Sequence, residues 1–176
     1  MSSPPAWALS LVYWLHMLAT VVWIGGLAAL SILVLPSAQR VLEPGAYSRL
    51  LDGVQRRLDP VGWLCLAVLV GTGLFQMSAN PNYQGLLALN NRWAIAIFIK
   101  HLVFLAMTAT SAALSWWVLP QLRRAALRQA RQLDTDGQRL QSRQALLLRW
   151  RHTFLVRLNL LLAVVVLALT ALARVS

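Results

Sequence analysis

Four long segments of the chain are almost entirely apolar. They cover residues 7–35, 61–79, 93–119 and 153–173, and the first of them contains no charged residue. A helix needs about 20 mostly apolar residues to cross about 30 Å of lipid hydrocarbon, so each segment is long enough to span a membrane. We therefore expect an all-α integral membrane protein with one domain over residues 1–176 and four transmembrane helices in an up-down bundle. Because the first segment is longer than one span requires, we expect it to be tilted or to extend past the bilayer.

The basic residues are distributed unevenly between the connecting segments. Segments 36–59 and 120–152 contain twelve of the sixteen Lys and Arg residues. On the other side of the four apolar segments there are only two, Arg92 and Arg174. Arginine-rich loops stay on the cytoplasmic side of a membrane. The sequence therefore predicts that both termini lie outside and that both basic segments lie in the cytoplasm, against anionic lipid headgroups.

The two cytoplasmic segments have helical patterns of their own. Residues 47–58 predict a short amphipathic helix at the membrane surface, which ends at Asp59-Pro60. Residues 121–133 and 138–150 each place apolar side chains at helical spacing, and Asp134-Thr135-Asp136-Gly137 between them is typical of a turn. We therefore expect a cytoplasmic αα-hairpin that continues the third and fourth spans.

Composition excludes several classes of protein. The chain is 59% hydrophobic and 12% charged, whereas a soluble domain has about 25% charged residues. The single cysteine, Cys65, excludes a disulfide framework and any site built from several cysteines. A net charge of +11 would suggest nucleic acid as the partner of a soluble protein, but here the arginines lie beside apolar spans. The chain also lacks a phosphate-binding loop, a Ser/His/Asp set and an HExxH motif, so hydrolytic chemistry has no candidate residues.

Four ionisable residues fall within the apolar segments, namely His16, Lys100, His101 and Arg157. An ionisable side chain is costly in hydrocarbon and usually faces the interior of a helical bundle. His16 follows Trp7 by nine residues and His101 follows Trp93 by eight, which places them about 13 Å and about 12 Å below the outer boundary. The first and third helices are parallel and diagonal in an up-down bundle. The sequence therefore predicts two imidazoles at one level that hold a shared ligand.

Haem b is the cofactor that these residues favour. Neutral imidazole is a good ligand for haem iron and for copper. His16 and His101 supply two axial ligands, and Arg92, just outside the third span, is placed to meet the haem propionates. Lys100 is rotated by about 100° from His101, and it either snorkels outward or lines the cavity as a proton donor or binding cation. We expect a protein that binds a redox centre and transfers electrons in the membrane, rather than an independent enzyme.

Two other functions remain open at this point. Copper transport or uptake would use His16, His101 and methionines near the outer face, although Met17 points about 100° away from His16 and Cys65 lies near the cytoplasmic end of its span. Alternatively, the histidines only pack, in a non-catalytic subunit of a respiratory or photosynthetic membrane complex. The segment Gly71-Thr72-Gly73 leaves a similar choice between close helix packing and space for a flat ligand.

Polar residues also lie near the cytoplasmic ends of the spans. Asp59 and Arg157 each lie close to that boundary, and we expect them to form an ion pair. Asn159 is expected to form a hydrogen bond between helices. His152 lies at the boundary itself, and the sequence leaves open whether it supports a second centre.

Short motifs in three of the spans resemble a known family. Leu15-His16-Met17-Leu18-Ala19, followed by Val22-Trp23-Ile24-Gly25-Gly26-Leu27, is similar to the first helix of copper resistance protein D (CopD)-like membrane proteins. Lys100-His101-Leu102 and Arg157-Leu158-Asn159 are similar to the third and fourth helices of that family. The resemblance implies a bacterial inner-membrane protein associated with copper handling.

The same features also resemble the HemJ-type protoporphyrinogen oxidases, which are four-helix proteins that bind haem b. In that family a histidine of the first helix and a lysine of the third are the functional positions, and the resemblance places these roles on His16 and Lys100. This chain lacks the Tyr-His pair expected after the first span. It also has Leu160 where a Glu-x-Pro continuation is expected after Asn159. The resemblance therefore implies haem binding more than oxidase activity.

Overall fold

The described part of the protein is helical. The computed structural model describes residues 5–81, 83, 85, 92–124 and 137–175, without the side chains of 44, 45, 137–145, 174 and 175. These residues contain no strand. Four helices are long and apolar enough to cross a membrane: Ala6–Val41, Ala46–Ser78, Arg92–Arg124 and Leu146–Ala173. The prediction of an all-α chain with four long apolar helices is confirmed.

The first span is one continuous helical path. It consists of α1 (Ala6–Ala28), a π-helical stretch (Ala29–Val34) and α2 (Leu35–Val41). The backbone N–H of Leu35 bonds to the carbonyl of Leu30, which is the wider π-helical spacing. Pro36 follows directly in the first turn of α2, where a missing N–H is best tolerated. The helical path therefore continues past Leu35, where the apolar segment of the sequence ends, to Val41.

The predicted break at Asp59-Pro60 is wrong. A single helix, α3 (Pro44–Ser78), contains Pro60 in its interior, so residues 47–58 do not form a separate short helix. Proline costs a helix interior about 3 kcal/mol or more, because it removes one hydrogen bond and crowds the preceding turn. Tyr47 and Leu51, on the N-terminal side of Pro60, are buried at 1% and 3% exposure. Burial of such side chains stabilises the helix and offsets the cost of the proline. A rule that considers only the residues next to a proline does not include this contribution.

The other two spans also extend beyond the predicted limits. α4 (Arg92–Ala113) is followed by a π-helical stretch (Leu114–Val118), and the helical path continues to Arg124. The last helix, α5 (Gly137–Val175), includes residues 138–150. The expected second helix of the hairpin is thus the beginning of the fourth span, as predicted. Residues 125–136, which include most of the predicted helix over 121–133 and most of the predicted hairpin turn, lie outside the described residues.

Contacts divide the chain into two compact units, each built from parts of all four spans. Unit 1 comprises Met1–Gly25, Val61–Met107 and Leu161–Ser176, and unit 2 comprises Gly26–Pro60 and Thr108–Leu160. The core of unit 2 is an apolar cluster of Leu30, Leu35, Ala38, Tyr47, Leu51, Leu114, Val118, Leu122 and Val156. In unit 1 the most buried apolar side chains include those of Trp23, Leu66, Trp93, Met107 and Ala163.

Candidate functional site

His16 is held by a neighbouring helix through one ring nitrogen. Its Nδ1 lies 2.7 Å from the hydroxyl oxygen of Thr72 in α3. The Thr72 hydroxyl itself donates to the carbonyl of Val68, at 2.5 Å. A hydroxyl has one proton, so the bond to His16 requires that the imidazole Nδ1–H donates and the hydroxyl accepts. His16 is therefore the Nδ1–H tautomer, and its Nε2 carries the free lone pair.

His101 is in the same chemical state for a different reason. Its Nδ1 lies 2.7 Å from the carbonyl oxygen of Ile97, one turn earlier in α4. A carbonyl only accepts, so Nδ1 carries the proton and Nε2 again has the lone pair. Histidines that bind metals commonly donate their other ring N–H to a carbonyl or a similar acceptor, which fixes the tautomer and ring orientation. Both candidate ligands thus present Nε2.

Lys100 of α4 lies near His16 of α1. It is partly buried, and it lies close enough to His16 to interact with the ring electrostatically. No hydrogen bond or ion pair joins His101 to His16 among the described residues. Lys100, rather than its neighbour, is the α4 residue that the structure brings to His16.

α1 and α4 are in direct contact within unit 1. The rings of Trp23 and Phe104 meet edge to face, with centroids 6.1 Å apart and planes at 64°. Trp23 follows His16 by two turns, and Phe104 follows Lys100 by one turn. This ring contact joins α1 to α4 on the turns that follow His16 and Lys100.

Thr72 and Gln76 belong to this site and were not identified from the sequence. Gln76 follows Thr72 by one turn, and its Nε2 is buried without a hydrogen-bond partner among the described residues. A buried amide N–H of this kind is a ready donor to a ligand. Gly73 lies beside His16, because a Cβ built on it would lie at an ordinary contact distance of 3.6 Å from Cε1 of His16. In the sequence, Thr72 and Gln76 are two polar residues four positions apart in an apolar segment, and Gly73 lies next to Thr72. This pattern was the signal that could have identified them.

The remaining residues predicted for the site are less central. Arg92 is the first residue of α4 and is exposed. Met17 is 50% exposed, whereas Met77 and Met107 are buried. Among the residues that the structure describes, no three His, Cys, Asp or Glu side chains are grouped so that they could hold a metal ion. A haem requires only two protein ligands, so two histidines suit it better than a copper site of several such residues.

In unit 2, one sequence prediction is wrong and one is confirmed. Asp59 does not form the expected ion pair with Arg157, because Arg157 is on an exposed face; Asp59 instead accepts a hydrogen bond from Ser115 at 3.1 Å. Asn159 forms the expected bond between helices, donating to the Ser111 hydroxyl at 2.8 Å. His152 is fully buried and lies 3.0 Å from the side-chain amide of Gln55.

Comparisons with protein-family models, with curated proteins and with solved structures found no match. The resemblance to CopD-like and HemJ-type proteins stays a prediction from the short motifs around His16, Lys100 and Asn159.

Proposed function

We propose that this protein spans the bacterial inner membrane four times, with both termini outside, and binds haem b in unit 1 for membrane electron transfer. The observation that carries the proposal is the shared tautomer of His16 and His101. Each ring is tied through Nδ1–H and offers Nε2, the arrangement that haem iron takes from axial histidines. Haem supplies one-electron redox chemistry when bound.

The exposed surface supports insertion in a membrane. Large apolar side chains are widely exposed in both units, including Trp7 at 72%, Val21 at 68% and Trp117 at 71%. Within the most apolar window of each candidate span, only 11–28% of residues are buried inside the protein. A water-soluble monomer rarely exposes apolar area on this scale, whereas lipid covers it without cost. The arginines of segments 36–59 and 120–152 then define the cytoplasmic side.

The other residues of the site have roles that follow from their charge. His16 and His101 would hold the iron through Nε2, and Thr72 and Ile97 would keep the two rings in place through their Nδ1–H groups. Lys100 supplies a positive charge and Gln76 an N–H donor, both suited to the carboxylates of haem. Arg92, at the exposed start of α4, is placed for the same purpose at the outer surface.

The test is a reduced-minus-oxidised absorption spectrum of the protein purified in detergent and supplemented with haem. We expect a Soret band that is lost in His16→Ala and in His101→Ala. The matched control is His152→Gln, which changes a histidine of unit 2 and leaves the band intact. Retention of the band in His101→Ala together with its loss in Lys100→Met would assign the second ligand to Lys100. A protein that takes up no haem, but contains copper by metal analysis, would refute the proposal in favour of copper transport.

Protoporphyrinogen oxidation is a second candidate function. The structure brings Lys100 into electrostatic range of His16, and these are the two positions on which the HemJ resemblance depends. The haem-loaded protein, given protoporphyrinogen and a quinone acceptor without oxygen, would then form protoporphyrin. We expect Lys100→Met to abolish that activity, and an inactive wild-type protein would exclude this function.

A further inference from the structure

Polar side chains join three helices through the interior of unit 2. Each contact is a hydrogen-bonded pair between different helices, and no residue takes part in two of these pairs. We call this set the polar ladder, and its four rungs are Asp52–Arg123, Gln55–His152, Asp59–Ser115 and Ser111–Asn159. The two inner-rung distances are 3.0 Å for Gln55–His152 and 3.1 Å for Asp59–Ser115.

The rungs follow one another at intervals of about one helical turn. Residues 52, 55 and 59 lie on successive turns of α3, while the partners 123 and 115 follow in the opposite order, so these two helices are antiparallel here. On α5, residues 152 and 159 are two turns apart, which places their rungs on either side of Asp59–Ser115. At about 5.4 Å per turn, the ladder extends about 16 Å from Asp52–Arg123 to Ser111–Asn159.

Three buried atoms of the ladder have no partner among the described residues: Oε1 of Gln55, Nδ1 of His152 and Oδ1 of Asn159. The three side chains are 5%, 0% and 0% exposed. Buried polar atoms in proteins are almost always hydrogen-bonded to protein or to ordered water. Rotating the Gln55 amide by 180° exchanges its two atoms beside His152 but still leaves one of them and Nδ1 unpaired. Water molecules between the rungs would satisfy all three atoms.

One end of the ladder is open to solvent. The side chains of Arg123 and Asp52 are 41% and 23% exposed, and Arg56 also pairs with Asp52 at 3.2 Å. The inner rungs contain two titratable groups, the Asp59 carboxyl and the His152 imidazole. Asp59 accepts a hydrogen bond from Ser115. It takes part in neither of the two ion pairs found among the described residues. The titratable groups along the ladder are therefore Asp52, Asp59 and His152, with the cations Arg56 and Arg123 at the open end.

We propose that the polar ladder is a hydrated proton path that leads from the solvent at Asp52–Arg123 to Asp59 in the interior of unit 2. In the outward step, the O–H bond of protonated Asp59 breaks and its proton passes to a bridging water. That water gives one of its own protons to the unprotonated nitrogen of His152, where an N–H bond forms. Asp59 is left as a carboxylate, His152 becomes the cation, and no electron is transferred. The path does not depend on haem, so it is tested on the protein as purified.

Infrared difference spectroscopy of the full chain in detergent tests the two parts of this proposal. At acid pH we expect a C=O stretch of a protonated carboxylic acid that is absent in Asp59→Asn and present in Asp52→Asn. We also expect an O–H stretch of internal water that shifts in H2(18)O and is lost in Asn159→Leu. Absence of either band in the wild-type protein would overturn the proposal.

Time-resolved infrared after a jump from acid to alkaline pH measures how fast Asp59 loses its proton. We expect His152→Gln to slow this loss by about 100-fold or more, the lower end of what a positioned proton-transfer group contributes. Thr153→Ser, which changes the adjacent residue, is the matched control and should leave the rate unchanged. Gln55→Met serves as a second variant, with circular dichroism to check helix content. Wild-type rates in the folded His152→Gln and Gln55→Met proteins would refute the path.

Discussion

The hydrogen bond between His16 and Thr72 gives the sharpest test of the proposed haem site. Thr72→Val keeps the shape of the side chain but removes the oxygen that accepts the His16 Nδ1–H, at 2.7 Å in the wild-type protein. Without this acceptor the ring is free to turn, and the tautomer that exposes Nε2 is no longer favoured. Thr72→Ser is the matched control, because it keeps the hydroxyl and loses only a methyl group.

The expected loss in affinity follows from the role of such partners. Substitution of the group that orients a metal-binding histidine typically weakens metal binding by about 10- to 100-fold. This corresponds to about 1.4–2.8 kcal/mol of binding free energy. An unmet donor in a partly buried site costs about 1–3 kcal/mol, which agrees with that range. We therefore expect the haem dissociation constant to rise by about 10- to 100-fold in Thr72→Val and to stay close to the wild-type value in Thr72→Ser.

The assay is a titration of the haem-free protein with haem, followed at the Soret band. Circular dichroism before each titration confirms that the variants have the same helix content. If Thr72→Val binds haem as tightly as Thr72→Ser, the threonine does not orient an iron ligand. His16 would then be a packing residue whose hydrogen bond only joins α1 to α3.

Three further predictions concern packing and polar contacts. Gly73→Leu is expected to displace His16 and weaken haem binding in the same titration, whereas Gly73→Ala should be tolerated, because its Cβ would lie at an ordinary 3.6 Å from the ring. Ser111→Ala leaves the Asn159 amide N–H without its acceptor and should lower stability by about 1–3 kcal/mol in thermal unfolding; an unchanged midpoint would contradict this. Arg123→Gln breaks an ion pair that is partly open to solvent, so thermal unfolding should show a loss of at most about 1 kcal/mol, which high salt should remove.

Local pattern was a poor guide wherever packing opposed it. Asp59-Pro60 is a good signal for a helix end, yet α3 continues through it because Tyr47 and Leu51 are buried on the preceding turns. An ion pair between Asp59 and Arg157 was reasonable from their depths alone. The structure instead turns Arg157 outward and pairs Asp59 with Ser115. In both cases packing against other helices decides the outcome, and sequence spacing carries no information about it.

The apolar pattern by itself was sufficient to predict the four long helices and the interhelical role of Asn159. Hydropathy over about 20 residues is a property of a single segment, and it needs no knowledge of the neighbours. A helical pattern also gives the angle between two residues of one helix, as between Lys100 and His101. It does not give the angle at which that helix is turned toward the others. Only the tertiary structure therefore decided that Lys100 lies near His16, that Thr72 sets the His16 tautomer, and that His152 is fully buried.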